Sequence, residues 1–76
     1  GLVEVEAKRV LSPMPSLVAR VVVKEGDEVR KGDIVAVLNV MKMEINVISH
    51  QDGKVKEILV KEWDEMDSGT PMITLQ

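Results

Sequence analysis

The chain has 76 residues, a formal net charge of −3 and no cysteine, so it predicts one small domain without disulfides or thiolate metal sites. Charges of both signs are interleaved, one residue is aromatic, and no apolar run approaches the ~20 residues of a membrane span, which argues against nucleic-acid-binding and membrane proteins. His50 is the only histidine, so no metal site is expected. The sequence predicts a soluble domain of the cytoplasm or the mitochondrial matrix, stabilised by an apolar core.

Valine and isoleucine are abundant, and this composition favours pleated strands over helices. Residues 1–7 alternate loosely and predict a tail, a linker end or a first edge strand. Strands are then predicted, in chain order, at residues 8–12, 17–24, 28–30, 34–38, 43–48, 54–60 and 72–75. Residues 62–68 are polar and predict a turn, while the prolines in residues 13–15 and 69–71 predict corners. About eight short strands with frequent turns are typical of a small sandwich or flattened barrel.

An internal repeat relates the two halves of the chain at an offset of 37 positions. Residues 16–39 align with residues 53–76, most apolar positions keep their character, and the turn glycine Gly32 falls on Gly69. Two copies are too few for a solenoid. They predict two similar halves related by a pseudo-two-fold axis, each giving strands to both sheets.

The two halves differ at two positions that bear on function. Trp63 aligns with Gly26, at a turn where glycine predicts a positive φ. The sequence therefore predicts a remodelled corner at Trp63, with a packing role for the indole rather than a binding role. Lys42 aligns with Val5, so the framework is shared and the lysine is not. A lysine needed only for the architecture has no reason to appear in one copy alone.

Lys42 stands between two methionines where two predicted strands meet, with no glycine or usual turn pair at the tip. Strand alternation predicts that Met41 and Met43 point away from the face that Lys42 occupies. Two interpretations follow for the methionines: plugs that close the end of the barrel, or soft side chains that a partner enzyme contacts around the amine. Lys42 has no visible base, so it is predicted to be acylated by an enzyme that supplies one.

The remaining polar candidates have structural explanations. His50 follows a strand and precedes a turn, which predicts a surface histidine without a partner for acid–base work. Carboxylates recur at matched turns of the two halves and predict solvated loop charges, and Glu44 either contacts a partner or faces solvent. The sequence shows no nucleophile–base pair and no phosphate-binding loop, which argues against an enzyme acting on its own.

The chain resembles a known family in the segments SPMPS, VVVKEGDEVRKGD, VMKME and DGKVKEILVKE, and the likeness extends from Leu11 to Leu75. It is similar to the biotinyl (biotin carboxyl carrier) domain of biotin-dependent carboxylases, which Met-Lys-Met distinguishes from the related lipoyl domains. The resemblance implies an all-β flattened barrel of two four-stranded antiparallel sheets, with pseudo-two-fold symmetry and the lysine on a protruding hairpin. It implies a carrier domain at residues 8–76 after a tail or linker end at residues 1–7. Residues 24–33 leave no room for an extra thumb segment, so the resemblance is to the thumbless type.

The resemblance also implies a role for each residue of the apex. Lys42 would carry covalent biotin, attached by biotin protein ligase, with Met41 and Met43 as flanking recognition residues. The biotin would act as a swinging arm that carries CO2 as carboxybiotin between a biotin carboxylase and a carboxyltransferase. The domain itself would be non-catalytic, a part or subunit of a biotin-dependent carboxylase, which is a ligase that forms carbon–carbon bonds.

The chain departs from the family's usual pattern at Val40 and Asn39, where alanine and glutamate are common, and at Ser16 after Pro-Met-Pro, where glycine is frequent. Val40 bears most directly on recognition by the ligase. Two alternatives remain open at this point. A lipoyl carrier domain of a 2-oxoacid dehydrogenase-type complex has the same fold, with an Asp-Lys-Ala type apex. A structural or interaction module would keep the barrel and leave the lysine unmodified.

Overall fold

Short β-branched segments separated by turn residues form strands, and every regular element among residues 8–76 is a strand. The computed structural model describes residues 8–76, and the prediction for residues 1–7 lies outside that range. The described part contains no helix that is long and apolar enough to cross a membrane. Its eight strands are β1 (Lys8–Leu11), β2 (Ser16–Val21), β3 (Glu28–Val29), β4 (Ile34–Val40), β5 (Met43–Ile48), β6 (Gly53–Ile58), β7 (Glu65–Met66) and β8 (Pro71–Leu75).

The strands form two four-stranded antiparallel sheets, with the orders β1-β8-β6-β3 and β5-β4-β2-β7. This confirms the predicted fold of a flattened barrel made of two such sheets. The prediction of a turn at residues 62–68 holds at residues 62–63 and 68 and is wrong at Glu65 and Met66, which form β7 and pair with Leu17 and Ser16 of β2. A two-residue strand between carboxylates has no periodicity of its own, so only its alignment with β3 at the repeat offset could have revealed it.

The predicted pseudo-two-fold relation holds at the level of single hydrogen bonds. The offset of 37 carries β2 onto β6 and β3 onto β7, and it converts the strand order of one sheet into that of the other. The Gly32 N–H donates to the Ser49 carbonyl oxygen at 2.8 Å, and the Gly69 N–H donates to the Ser12 carbonyl oxygen at 2.7 Å. Each half therefore contributes the same framework, and the two halves can be compared position by position.

The core lies between the two sheets and draws equally on both halves. Its buried side chains are Val10, Val18, Val29, Val35, Ala36, Leu38, Val47, Val55, Met66, Met72, Ile73 and Leu75. All twelve fall into pairs related by the offset, for example Leu38 with Leu75 and Val35 with Met72. The hairpin formed by β4 and β5 therefore belongs to a sheet that packs on this core in the same way as the other sheet does.

Trp63 keeps the backbone geometry of the glycine that it aligns with, so the prediction of a remodelled corner is wrong. Trp63 has a φ of 73° and Gly26 has a φ of 91°. The Trp63 N–H donates to the Val18 carbonyl oxygen at 2.7 Å, and the Gly26 N–H donates to the matching Val55 oxygen at 2.8 Å. Because these hydrogen bonds fix the turn, the side chain must accept a left-handed backbone. The indole is 68% exposed, so it makes little packing contact in return.

The variant Trp63→Gly is therefore expected to raise the free energy of unfolding by about 0.5–1 kcal/mol. Relief of the left-handed strain gives about 1–2 kcal/mol, and the greater chain entropy of glycine offsets part of it. Urea unfolding followed by far-UV circular dichroism measures the change, since the variant has no fluorescent residue left.

The matched control is Gly26→Ala at the equivalent turn. A Cβ at Gly26 would meet no atom within 4 Å, so its cost is conformational and is expected to be about 1 kcal/mol. A loss of stability in Trp63→Gly would contradict the prediction, and it would mean that the indole packs usefully against the turn.

Candidate functional site

The predicted hairpin is present, and its apex consists of two residues. Strands β4 and β5 pair from Ile34 opposite Ile48 to Val40 opposite Met43, which leaves Met41 and Lys42 as the connection. Both have a positive φ, 52° for Met41 and 69° for Lys42. Positive φ at both central residues is the pattern of a type I′ turn, the geometry that matches the twist of paired strands. Asparagine and glycine usually occupy such positions, so a methionine and a lysine here accept backbone strain.

The interpretation of the two methionines as plugs of the barrel end is wrong. Met41 is 87% exposed and Met43 is 60% exposed, and Lys42 is exposed between them. Met41 and Lys42 lie in the turn, so the alternation of side chains between sheet faces does not extend to them. The apex therefore presents an amine flanked by two flexible apolar side chains, all open to a partner.

An exposed ion pair joins β2 to β5 near the base of the hairpin. Arg20 Nη1 lies 3.8 Å from Glu44 Oε2, so the partner of Glu44 is within the domain. Val37 of β4 lies opposite Arg20 of β2 and Asn46 of β5, and it is 3% exposed although it does not belong to the core between the sheets. The aliphatic stem of an arginine at this register position can shield an apolar neighbour. The exposed pair itself contributes little energy.

A groove beside the apex was missed by the sequence reasoning. The hairpin groove, about 570 Å³, lies between β4, β2 and β7 and is lined by Met41 together with Ser16, Leu17, Asn39, Val40, Glu65 and Asp67. It starts at the residue next to Lys42. It could not be predicted from the sequence because it depends on β7, which pairs with β2 and contributes to its lining.

The other predicted residues do not form a second site. His50 is exposed, and among residues 8–76 there is no group of histidine, cysteine or carboxylate side chains that could hold a metal. The turn carboxylates act locally: Asp27 Oδ2 accepts the Lys24 N–H at 2.9 Å, and Asp64 Oδ2 accepts the Lys61 N–H at 2.9 Å. These matched caps belong to the framework.

Comparisons with known proteins agree with this geometry. A family model described as biotin-requiring enzyme matches residues 8–75. Pyruvate carboxylase of Aspergillus niger is 44% identical over 62 residues, which cover 82% of this chain and 5% of that protein. The biotin/lipoyl attachment protein of Bacillus subtilis (strain 168) is 43% identical over 56 residues, which cover 74% of this chain and 77% of that protein. The structure of urea carboxylase from Kluyveromyces lactis matches with a TM-score of 0.87 at 28% identity, covering 100% of this chain and 7% of that one.

A two-sheet barrel that displays an exposed lysine at the tip of a tight hairpin defines the biotinyl- and lipoyl-like class of domains. The chain belongs to the family of biotin-requiring enzymes. It spans 5% of the length of the pyruvate carboxylase that it matches, and so corresponds to one domain of such an enzyme. These comparisons confirm the family, the cofactor biotin and the carrier role that were predicted from the sequence.

Proposed function

We propose that Lys42 is the residue to which biotin is attached. The observation that carries this assignment is its position as the second residue of the two-residue turn, exposed and flanked by two exposed methionines. No other lysine between residues 8 and 76 stands at the apex of a protruding hairpin. Within the described residues the fold offers Lys42 no catalytic base, so the ligase must supply one.

The residues of the domain hold and present the group, and they do not perform its chemistry. Bound biotin supplies a ureido ring that accepts and releases a carboxyl group. Pairing of β4 with β5, and of β4 with β2, fixes the turn on the core, so that the amine has a defined place relative to the barrel. The left-handed turn keeps both methionine side chains outside, where they offer a partner apolar contact close to the amine.

The partners that we propose are biotin protein ligase, a biotin carboxylase and a carboxyltransferase. A lysyl-biotin arm has a reach on the order of 14 Å from bond lengths alone. Two active sites in a large enzyme lie farther apart than that, so the domain itself has to move between them on a connecting segment. A tether of this kind raises the local concentration of biotin at both sites.

The assignment is tested by intact mass after expression of the chain with either biotin protein ligase or lipoate ligase. We expect a gain of one biotinyl group with the first enzyme and no adduct with the second. A lipoyl adduct without a biotinyl one would move the domain to the 2-oxoacid dehydrogenase-type complexes. If neither ligase acts, the role of Lys42 is refuted for this sequence, and Val40→Ala and Asn39→Glu would show whether those departures are the reason.

Met41 is expected to affect stability and ligase recognition in opposite directions. The variant Met41→Gly relieves the positive φ, which should raise the free energy of unfolding by about 0.5–1 kcal/mol. It also removes an exposed apolar side chain from the surface that the ligase contacts. Burying a methionine in an interface is worth roughly 1.5–3 kcal/mol, so losing part of it should lower the initial rate of biotin attachment about tenfold.

The matched variant for this comparison is Met41→Ala. It removes the same side chain and keeps the strain, so we expect the slower rate without the gain in stability. The two variants are distinguished by urea unfolding together with the initial rates of biotin attachment. These rates are measured at concentrations of the domain that are far below saturation of the ligase. An unchanged rate in both would refute the recognition role of Met41.

A further inference from the structure

The hairpin groove has a counterpart in the other half of the domain, and the two can be compared directly. The counterpart groove, about 370 Å³, is lined by Glu28, Val29, Arg30, Gly53, Lys54 and Asp52. At the repeat offset these residues correspond to Glu65, Met66, Asp67, Ser16, Leu17 and Pro15, all of which line the hairpin groove. The same fold thus builds both grooves, and their differences are not required by the architecture.

The differences give the lining of the hairpin groove one more apolar residue and one more carboxylate than its counterpart. Leu17 stands where the counterpart has Lys54, and Asp67 stands where it has Arg30. Glu65 matches Glu28 of the other half, so with Asp67 the lining of the hairpin groove contains two carboxylates. Within residues 8–76, neither Glu65 nor Asp67 uses its side chain in an ion pair or hydrogen bond. Their acceptor capacity is therefore available to a ligand.

We propose that the hairpin groove is a resting site for the uncarboxylated biotin ring attached to Lys42, an inference that rests on the proposed function. The ureido group of that ring has two N–H donors and one carbonyl acceptor. The carboxylates of Glu65 and Asp67 supply acceptors, the amide of Asn39 supplies a donor, and Leu17 with Val40 offers apolar surface to the rest of the ring. The groove volume lies within the range of small-molecule sites.

Because the biotin ring would be tethered at Lys42, even weak binding would be sufficient for it to occupy the groove. Lys42 is the neighbour in sequence of Met41, which lines the groove, and an arm with a reach on the order of 14 Å extends over it. A short flexible tether gives an effective concentration on the order of 1 mM. A groove with a dissociation constant of about that size would hold the ring roughly half of the time, without preventing its transfer to an active site.

The two carboxylates of the groove also predict when the biotin ring leaves it. Carboxylation replaces one ureido N–H by a negatively charged group, which removes a donor and brings like charge next to Glu65 and Asp67. The groove therefore holds the uncharged ring and rejects the carboxylated one. The loaded arm stays extended and available to the acceptor site.

The test compares amide ¹H–¹⁵N spectra of the unmodified and the biotinylated domain, after intact mass has shown one biotinyl group. We expect shift changes at the turn and also at Leu17, Asn39 and Asp67. The matched amides Lys54 and Arg30 in the counterpart groove should keep their positions. The double variant Leu17→Lys with Asp67→Arg imports residues that the same fold already accepts at the matched positions. In this variant the shift changes at β2 and β7 should be lost.

The double variant Lys54→Leu with Arg30→Asp serves as the control, because it alters the counterpart groove and should leave the shift changes at Leu17, Asn39 and Asp67 intact. Shift changes confined to residues 41–43 in the biotinylated native domain would overturn the resting site while leaving the attachment role intact. Absence of the biotinyl group in the mass spectrum would instead refute the proposed function, so the two failures are distinguishable.

Discussion

Biotin attachment is expected to disappear completely in the variant Lys42→Arg, under conditions in which the native chain gains one biotinyl group. The guanidinium of arginine stays protonated at any pH that the protein tolerates, so it cannot act as the nucleophile that the ligase needs. The fold should persist, because Lys42 is exposed and arginine has the same long aliphatic stem. Intact mass gives the result directly, and circular dichroism checks that the variant remains folded.

A second variant separates the presence of an amine from its place in the turn. Exchanging the two apex residues, as Met41→Lys with Lys42→Met, keeps one lysine and one methionine at the tip and moves the amine to the first turn position. Misplacement by about 1 Å can cost a catalysed reaction ~100-fold, so we expect the rate of attachment to fall by at least that factor. Equal rates in the exchanged and native chains would show that the ligase recognises any exposed apex lysine.

The second large effect concerns the core beneath the hairpin. Leu38 is fully buried on β4, two residues before the last paired residue of the strand. The variant Leu38→Ala is expected to lose about 3 kcal/mol of stability through lost apolar burial and the cavity left behind. Domains of this size have roughly 4–11 kcal/mol in total, and the melting temperature should fall by about 12–24 °C. Calorimetry of native and variant chains measures this loss.

The pseudo-two-fold relation supplies the matched variant. Leu75 aligns with Leu38 and is also buried, in the other sheet, so Leu75→Ala is expected to cost about the same. Biotin attachment at a temperature where both variants remain folded should be unaffected in each. If Leu38→Ala alone slowed attachment in the folded state, the core under the hairpin would have a positioning role that the matched residue lacks.

Most of the framework could be predicted because it is encoded twice. Each strand from β2 to β4 has a matched partner in the second half, and the shared hydrogen bonds of Gly32 and Gly69 impose the same corners on both. The position of Lys42 at a tight connection was also predictable, because β-branched residues approach it from both sides. Repetition made the pattern of short strands recognisable where a single short strand is ambiguous.

The parts that could not be predicted depend on tertiary contacts that override local preference. A left-handed backbone at Met41, Lys42 and Trp63 contradicts what these residue types favour, and strand pairing or a backbone hydrogen bond fixes it in each case. The exposure of Met41 follows from that turn and not from alternation. The hairpin groove needs β2, β4 and β7 side by side, a relation that the linear sequence does not state.

The arrangement of strands also sets the time at which the domain can first function in the cell. β8, which ends at Leu75, lies between β1 and β6, so the sheet has a gap at its centre until β8 is synthesised. The other sheet likewise takes two strands from each half, and neither half can fold first on the ribosome. Such long-range pairing is formed in milliseconds to seconds after synthesis. A ligase that recognises the folded hairpin can therefore act only after β8 has been made, and chains truncated before β8 would escape labelling.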